Sequence, residues 1–166
     1  MARSFREAKK APRLGEWCEN RRVGDFERMT HGRRRVYLLL NGSVVPFWLA
    51  MILAPRSRLT ARLMQAATPL FAGLGVTYDA LLVGGSVKHG EVLDFADPDA
   101  VRAALSTPDI FLAGWTHYLA FDLFVGRWMW EDALARDRTP RLALLLTFLA
   151  GPAGLSLYLA QRRAWG

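Results

Sequence analysis

Long apolar runs dominate the chain after about residue 35, and short charged connections separate them. Four of these runs approach or exceed the ~20 residues that a helix needs to cross a hydrocarbon core ~30 Å thick. Because Gly and Pro are tolerated inside transmembrane helices, Pro46 and Pro152 are expected to kink their runs without ending them. The pattern predicts an all-α integral membrane bundle of four transmembrane helices, at residues 36–54, 68–87, 110–130 and 142–160.

The connections between the runs differ in charge and predict smaller elements. Residues 1–35 form a basic arm, expected to be cytoplasmic or interfacial, and residues 161–166 form a short basic tail. Between the second and third runs, Asp97 has the pattern of a helix cap, and Pro98 that of the first helical position. A short interfacial helix is therefore predicted between spans two and three.

Composition limits the class of protein. With 166 residues, 52% of them hydrophobic, the chain has the size of one domain. A net charge of +7 could suit nucleic acid, but no nucleic-acid-binding motif accompanies it, and no such partner is expected. The basic arm instead suits the anionic headgroups of membrane lipids. Cys18 is the only cysteine, which excludes an intrachain disulfide and a cysteine-cluster metal site.

Basic residues also predict the orientation of the chain. The arm carries more Arg and Lys than any loop, which favours a cytoplasmic N-terminus, and four spans would return the C-terminus to the same side. The loops at the other membrane face are also basic and favour the opposite orientation; their arginines are Arg56, Arg58, Arg62, Arg136, Arg138 and Arg141. The arm lies directly beside the first run, so both termini are expected in the cytoplasm, and its Arg-rich and Ala-rich style indicates a bacterial inner membrane.

Four polar residues lie inside the apolar runs at a similar depth. With a rise of ~1.5 Å per residue, one slab about 10 Å thick holds Asn41, Asp79, His117 and Asp122. Ionisable groups at this depth are costly and by default indicate function, so His117, Asp122 and Asp79 are the candidate catalytic residues. His117 and Asp122 are about 140° apart around their helix and cannot simply bond each other. Mutual pairing between helices is expected instead.

Neighbouring residues complete the predicted site. The candidates for substrate binding are Asn41, Trp115, Tyr118, Phe121 and Trp128. For Asn41, interhelical hydrogen bonding is an open alternative, and for the tryptophans a belt or packing role is another. Arg127 and Glu131 are spaced i, i+4 near a membrane interface, which favours an ion pair with a structural or anchoring role.

One imidazole and two carboxylates in a cavity of low dielectric constant can carry acid and base steps. No cofactor and no metal are expected, because a non-haem iron site usually needs a second His that the spans lack. Haem or non-haem iron held through His117 is the alternative. No phosphate-binding loop and no nucleophile elbow occurs, so the expected substrate is a lipid-dissolved molecule that enters from the bilayer.

Three stretches resemble a known family in order and spacing. They are NGSVVPFWLAMILAP in the first run, AGWTHYLAFDLFVGRWMWEDA in the third and LLLTFLAGPAGLSLYLA in the fourth. Together they are similar to the abscisic-acid-deficient-four-like family, whose plant members are neoxanthin synthases of plastid membranes. The resemblance covers about residues 36–160. It implies isomerisation of the epoxy-carotenoid violaxanthin to the allenic carotenoid neoxanthin, with no net redox change.

The arm departs from the plant pattern, so the resemblance implies an epoxy-carotenoid or a related isoprenoid as the substrate. One hypothesis is a cofactor-independent carotenoid isomerase with Asp122 or Asp79 as the acid and His117 as the base. The second is a non-catalytic carotenoid-binding or pathway-assembly protein, and the third is a small transporter or proton relay. Protein partners would be a second copy in a homodimer or another enzyme of the pathway.

Overall fold

The structure is a computed structural model that describes residues 29–89 and 94–165. The described part is entirely helical, without a β-strand, which confirms the predicted all-α class. Most of the basic arm, Cys18 included, lies outside the described residues. In chain order the helices are α1 (His31–Leu53), α2 (Arg58–Gln65), α3 (Thr68–His89), α4 (Pro98–Leu105), α5 (Pro108–Ala135), α6 (Arg141–Ala150) and α7 (Pro152–Ala164).

Helix α1 begins at His31, five residues before the predicted start of the first span at residue 36. Thr30 caps it, and its hydroxyl accepts a hydrogen bond from the backbone N–H of Arg33 at 3.4 Å. The helix continues through Pro46 as expected and ends before Pro55, whose ring disfavours a helical residue in front of it. Within the described residues, only α1 and α3 are both long and apolar enough to cross a membrane, by length and composition.

Helix α5 is the centre of the bundle, and α1 runs parallel to it. Arg33 at the start of α1 pairs with Asp109 at the start of α5, with hydrogen bonds of 2.8 and 2.7 Å. At the other end, the indole of Trp130 donates to the carbonyl of Pro55 at 2.8 Å. Between these ends, the Trp48 ring occupies the space that a Cβ on Gly126 would need. The glycine therefore allows α1 and α5 to approach closely.

Helix α3 runs antiparallel to α5 on another side. Near its C-terminus, a Cβ on Gly85 would lie 2.7 Å from the Cδ1 of Ile110. Near its start, the rings of Phe71 and Phe124 meet edge to face with centroids 6.0 Å apart. Only one side of α3 is used in this packing, so the opposite side is left on the outside of the molecule.

The fourth apolar run is a helical hairpin, and the prediction of one continuous span at 142–160 is wrong. Helix α6 runs back along α5, and the Thr147 hydroxyl reaches the sulfur of Met129 at 3.6 Å. At Gly151 the chain turns, and α7 then returns along α5 until Arg162 bonds Asp132. The tip of the hairpin thus lies near the middle of α5.

The hairpin forms because the Gly151-Pro152 pair ends a helix here. Gly151 has φ 41° and ψ −100°, outside the helical region, and Pro152 has no N–H to continue the ladder of α6. Gly154 then lets α7 pack on α6, since a Cβ there would overlap the backbone N and the hydroxyl of Thr147. The expected kink at Pro152 is therefore a reversal of direction.

The two described ends of the chain lie at opposite ends of the bundle. The start of α1 is tied to the start of α5 through Asp109, whereas α7 ends beside Asp132, near the end of α5. A membrane crossed by α5 would separate these ends. The expectation of two cytoplasmic termini rested on four full spans, and nothing in the described residues supports it.

Two short helices complete the fold. Helix α4 begins as predicted, with Pro98 in its first turn and with the Asp97 carboxylate accepting from the N–H of Asp99 at 3.0 Å. Helix α2 was not predicted from the sequence. Its Thr60 hydroxyl is buried and donates to the carbonyl of Ala54 at 2.7 Å, which holds α2 against the end of α1.

Candidate functional site

The carboxyl group of Asp122 lies against the tip of the α6–α7 hairpin. A Cβ built on Gly151 would be 3.0 Å from Oδ1 and 3.2 Å from Oδ2 of this carboxyl. The Asp122 side chain is half-buried and makes no hydrogen bond or ion pair with another residue in the described ranges. It is therefore held in place by packing while its oxygens stay free to bind another group.

The hairpin tip brings polar backbone to the middle of the bundle. Because Pro152 cannot donate and Gly151 leaves the helical path, α6 ends and α7 begins within three residues. Interrupted helices of this kind are found in membrane proteins where the freed backbone groups line a binding site. The position of the break places the Asp122 carboxyl beside the backbone of Gly151, whose N–H donates to the carbonyl of Thr147 and whose carbonyl accepts from the N–H of Gly154.

An aromatic stripe continues from Asp122 towards the start of α5. Phe111, Trp115, Tyr118 and Asp122 follow one another at intervals of four, three and four residues, which puts them on one side of the helix. The rings of Phe111 and Trp115 stack with centroids 6.1 Å apart. The Trp115 indole N–H also donates to Oδ1 of Asn41 at 3.3 Å. This bond fixes the ring between α1 and α5.

His117 lies on a second aromatic stripe of the same helix. Its ring stacks on Phe121 at a centroid distance of 4.4 Å and an interplanar angle of 24°. The Tyr78 ring of α3 lies 5.9 Å away, so His117 is next to the seam between α3 and α5. The His117 side chain is exposed on the outside of the molecule. Its nitrogens can therefore reach a molecule that lies on this side of α5.

An open surface joins the two stripes. Between His117 and Asp122 lie Tyr118 and Phe121, which are 62% and 59% exposed. We call these four residues the α5 outer face. The two polar groups are five residues apart, about 7.5 Å along the helix axis, and about 140° apart around it. They stand at opposite edges of the face, yet the His117 imidazole lies near enough to interact electrostatically with the Asp122 carboxyl.

The expected pairing of four polar residues does not occur. Asn41 uses its amide to bond the carbonyl of Tyr37 at 2.7 Å and to accept from Trp115. Asp79 is exposed on the outer side of α3 and has no hydrogen bond or ion pair among the residues that the structure describes. The structure therefore brings Asp122 and His117 to one helix face and leaves Asp79 apart from it.

The remaining predicted residues lie towards the end of α5. Trp128 is partly exposed, and its ring meets Tyr158 of α7 edge to face at 5.5 Å. The guanidinium of Arg127 donates to the Glu131 carboxylate at 2.8 Å, so these two residues form an i, i+4 ion pair at the surface. Their anchoring role stays a prediction.

Sequence reasoning missed a cluster around Asp132. The Asp132 carboxylate accepts hydrogen bonds from Arg162 at 2.9 Å, from the hydroxyl of Tyr158 and from Arg136 at 3.2 Å. These partners, Arg162 first, hold the pKa of Asp132 well below its usual range, and Asp132 in turn raises the pKa of Arg162. The spacing to Arg136 was a local signal, whereas nothing in the sequence indicated the two partners on α7.

No three of the His, Cys, Asp and Glu side chains in residues 29–89 and 94–165 are grouped as the ligands of one metal ion would be. The rings nearest to His117 are those of Phe121, Tyr78 and Tyr118. The polar groups of the α5 outer face are the Asp122 carboxyl, the His117 imidazole and the Tyr118 phenol.

Comparison with known proteins points to one family. Residues 35–158 match the model of the family described as ABA DEFICIENT 4-like. The chain is also similar to Protein ABA DEFICIENT 4, chloroplastic, of Arabidopsis thaliana, with 26% identity over 126 residues. That alignment covers 72% of this chain and 57% of the plant protein, so the chain spans little more than half the length of this relative. No solved structure matches the chain.

Proposed function

The chain belongs to the ABA DEFICIENT 4-like family, and from this membership we propose that it is a membrane-embedded protein that isomerises an epoxy-carotenoid or a related isoprenoid. The observation that carries the proposal is the free, half-buried Asp122 carboxyl at the edge of an exposed aromatic face. A carboxyl with no partner of its own, beside rings that can hold a polyene, suits acid catalysis on a greasy substrate.

In this proposal α1, α3 and α5 cross the membrane and the α6–α7 hairpin enters it to about half its depth. Apolar length supports the first two helices. The 28 residues of α5 exceed the ~20 that a span requires, and its charged residues lie mainly near its ends. Asp122 and Gly151 then lie near the bilayer midplane, where irregular backbone is tolerated only beside other protein groups.

The aromatic residues of α5 offer a surface as long as the membrane is thick. From Phe111 to Trp128 the helix rises about 26 Å, comparable with a hydrocarbon core of ~30 Å. Exposed rings occur along this whole length. An extended polyene lying in the bilayer could therefore stack along α5 and carry its epoxide-bearing end group onto the α5 outer face.

The reaction is balanced without any other reactant. Asp122 donates a proton to the epoxide oxygen, and the carbon–oxygen bond to the polyene side of the ring breaks. His117 takes a proton from the adjacent polyene carbon, and the electrons of that carbon–hydrogen bond form the new double bond of an allene. The product has an O–H group and the same mass as the substrate, and the proton that His117 has taken returns to Asp122 before the next turnover. No cofactor is needed for these steps, which are acid and base catalysis only.

Expression in cells that accumulate epoxy-carotenoids tests the proposal. We expect a new carotenoid of unchanged mass in the extract, detected by chromatography with mass detection. Asp122→Asn and His117→Gln should each reduce its formation by at least about 100-fold, the usual loss for a general acid or base. The matched controls are Asp99→Asn and His31→Gln, because both residues are exposed and lie outside α5.

A carotenoid-binding protein without turnover is the second candidate, and the exposed aromatic stripe of α5 supports it. Such a protein would co-purify with unaltered pigment and give no new isomer. Product formation that both variants leave unchanged would overturn the assignment of Asp122 and His117. A complete absence of product and of bound pigment would overturn the carotenoid proposal itself.

A further inference from the structure

One side of α3 carries an unpartnered, mostly apolar stripe. Its members follow at intervals of four, three and four residues, and all of them are exposed: Ala72, Val76, Asp79 and Val83. Val76 and Val83 are 69% and 60% exposed. We call these residues the α3 outer seam. The interval pattern is that of the seam along which two helices pack in a left-handed coiled coil.

Asp79 lies at the middle of this seam and near the middle of α3. As in the proposed function, on which the interface described here rests, α3 crosses the membrane. An exposed carboxyl at that depth would face lipid chains, which offer it no hydrogen bond. Since Asp79 has no partner in the described part of the chain, a partner from another molecule is the cheapest way to satisfy it.

We propose that the α3 outer seam is the interface with a second copy of this chain, in a two-fold dimer in which α3 packs parallel to its counterpart. Copies inserted in the same orientation bring equal depths together, so Asp79 meets Asp79 of the partner subunit. Two carboxyl groups that meet in this way can hydrogen-bond each other, whereas the lipid chains around them offer neither group a partner. A single polar residue in such a seam also fixes its register.

The flanks of the seam allow a close approach. A Cβ built on Gly73, Gly75 or Gly84 would have no atom of this chain within 4 Å. Small residues beside a membrane helix contact let two backbones come near each other, which strengthens packing in lipid. A second copy supplies both the small residues and the matching carboxyl, whereas a different partner would need its own polar group at this depth.

Disulfide cross-linking in membranes tests the interface. Val76→Cys and Val83→Cys are each introduced with Cys18→Ala, because Cys18 is the only native cysteine. After oxidation, both should give a product at twice the 18.6 kDa of the chain. Leu39→Cys in the same background is the control, since its side chain is 72% exposed but lies on α1 instead of α3. It should cross-link far less.

Changes at Asp79 separate this interface from chance collisions. In the Val83→Cys background, Asp79→Asn keeps a hydrogen-bonding pair and should retain the cross-link. Asp79→Leu removes the hydrogen-bonding pair and should lower the dimer association constant by roughly 3- to 30-fold, the usual effect of one polar contact between membrane helices. Equal cross-linking at residues 39, 76 and 83, a product of another mass, or no effect of Asp79→Leu would overturn the proposal.

A labelling control separates failure of the dimer from failure of the span. In sealed vesicles, Val83→Cys without oxidant should resist a maleimide reagent that does not enter membranes. Labelling from the aqueous phase would show that α3 does not cross the bilayer, which overturns the spanning arrangement on which the dimer rests. Protection without any cross-link would overturn the dimer alone.

Discussion

Asp122 is distinguished from Asp79 by what each side chain touches. Asp122 packs against Gly151 and borders exposed Tyr118, so its carboxyl is fixed beside a surface that can hold a ligand. Asp79 stands on the outer side of α3 with no partner among the described residues. The same chemical group therefore suits proton transfer in one place and contact with a second copy in the other.

Asp132 should stabilise the fold in a pH-dependent way. Because its pKa is depressed in the folded chain, its contribution is present above the ordinary Asp pKa and is lost as the pH falls through the folded value. At pH 7, Asp132→Asn should lower the free energy of unfolding by about 1–2 kcal/mol, a value reduced by the exposure of its arginine partners. Thermal unfolding in detergent measures this.

The difference between Asp132→Asn and the unchanged chain should narrow below about pH 4. Asp99→Asn is the control, because Asp99 and Arg102 form an exposed pair 3.5 Å apart that should contribute almost nothing. A difference that stays constant from pH 7 to pH 3 would contradict the assigned role of the Asp132 carboxylate.

The α6–α7 hairpin should depend on Gly151 for both its shape and its effect on Asp122. Gly151→Ala puts a side chain at φ 41° and a Cβ 3.0 Å from the Asp122 carboxyl. We expect a loss of about 1–2 kcal/mol in the free energy of unfolding. Isomer formation should fall by about 10-fold or more, because displacements near 1 Å at a reacting group are costly.

Gly42→Ala is the matched control for this change. Gly42 lies in α1 on the outside of the molecule, and a Cβ there would meet no atom within 4 Å. The substitution should leave isomer formation unchanged and can stabilise the helix by up to about 1 kcal/mol. If Gly151→Ala behaved like Gly42→Ala in both measurements, the hairpin tip would not position Asp122.

How far the sequence predicts each element depends on whether its cause is local. The cap at Asp97 and the apolar lengths of α1 and α3 are local, and the structure agrees with them. The structure of the fourth run does not have a local cause, because a Gly-Pro pair can either kink a helix or reverse its direction. The contact between Gly154 and Thr147, which lie on different helices, favours the reversal. The partners of Asp132 on α7 depend on the same hairpin.

The same distinction between local and long-range causes applies to the candidate site. The sequence alone identifies the motif around His117 and Asp122 as a candidate site, since ionisable groups in an apolar run are rare. The sequence could not show that Asp79 points away from His117 and Asp122, because the depth of a residue in the membrane does not determine which side of α3 packs against α5. Exposure of Asp79 became visible only with the contacts of Phe71 and Tyr78.

The whole molecule should place its termini on opposite sides of the membrane. If α1, α3 and α5 cross the membrane as proposed, three crossings separate the ends, and the hairpin, which returns along α5, does not bring them together. Reporter domains that are active on only one side, fused in turn to the N-terminus and the C-terminus, should give opposite signals. Equal signals from both fusions would contradict the hairpin and restore a fourth crossing.

The central claim is that Asp122 and His117 on the α5 outer face carry out an isomerisation with no other reactant. Its most direct test incubates the purified chain, in lipid and with chelator present, with an epoxy-carotenoid, and follows an allenic product of unchanged mass over time. We expect steady product formation that Asp122→Asn and His117→Gln each reduce at least about 100-fold. Pigment that binds but stays unaltered, or turnover that survives both substitutions, would contradict it.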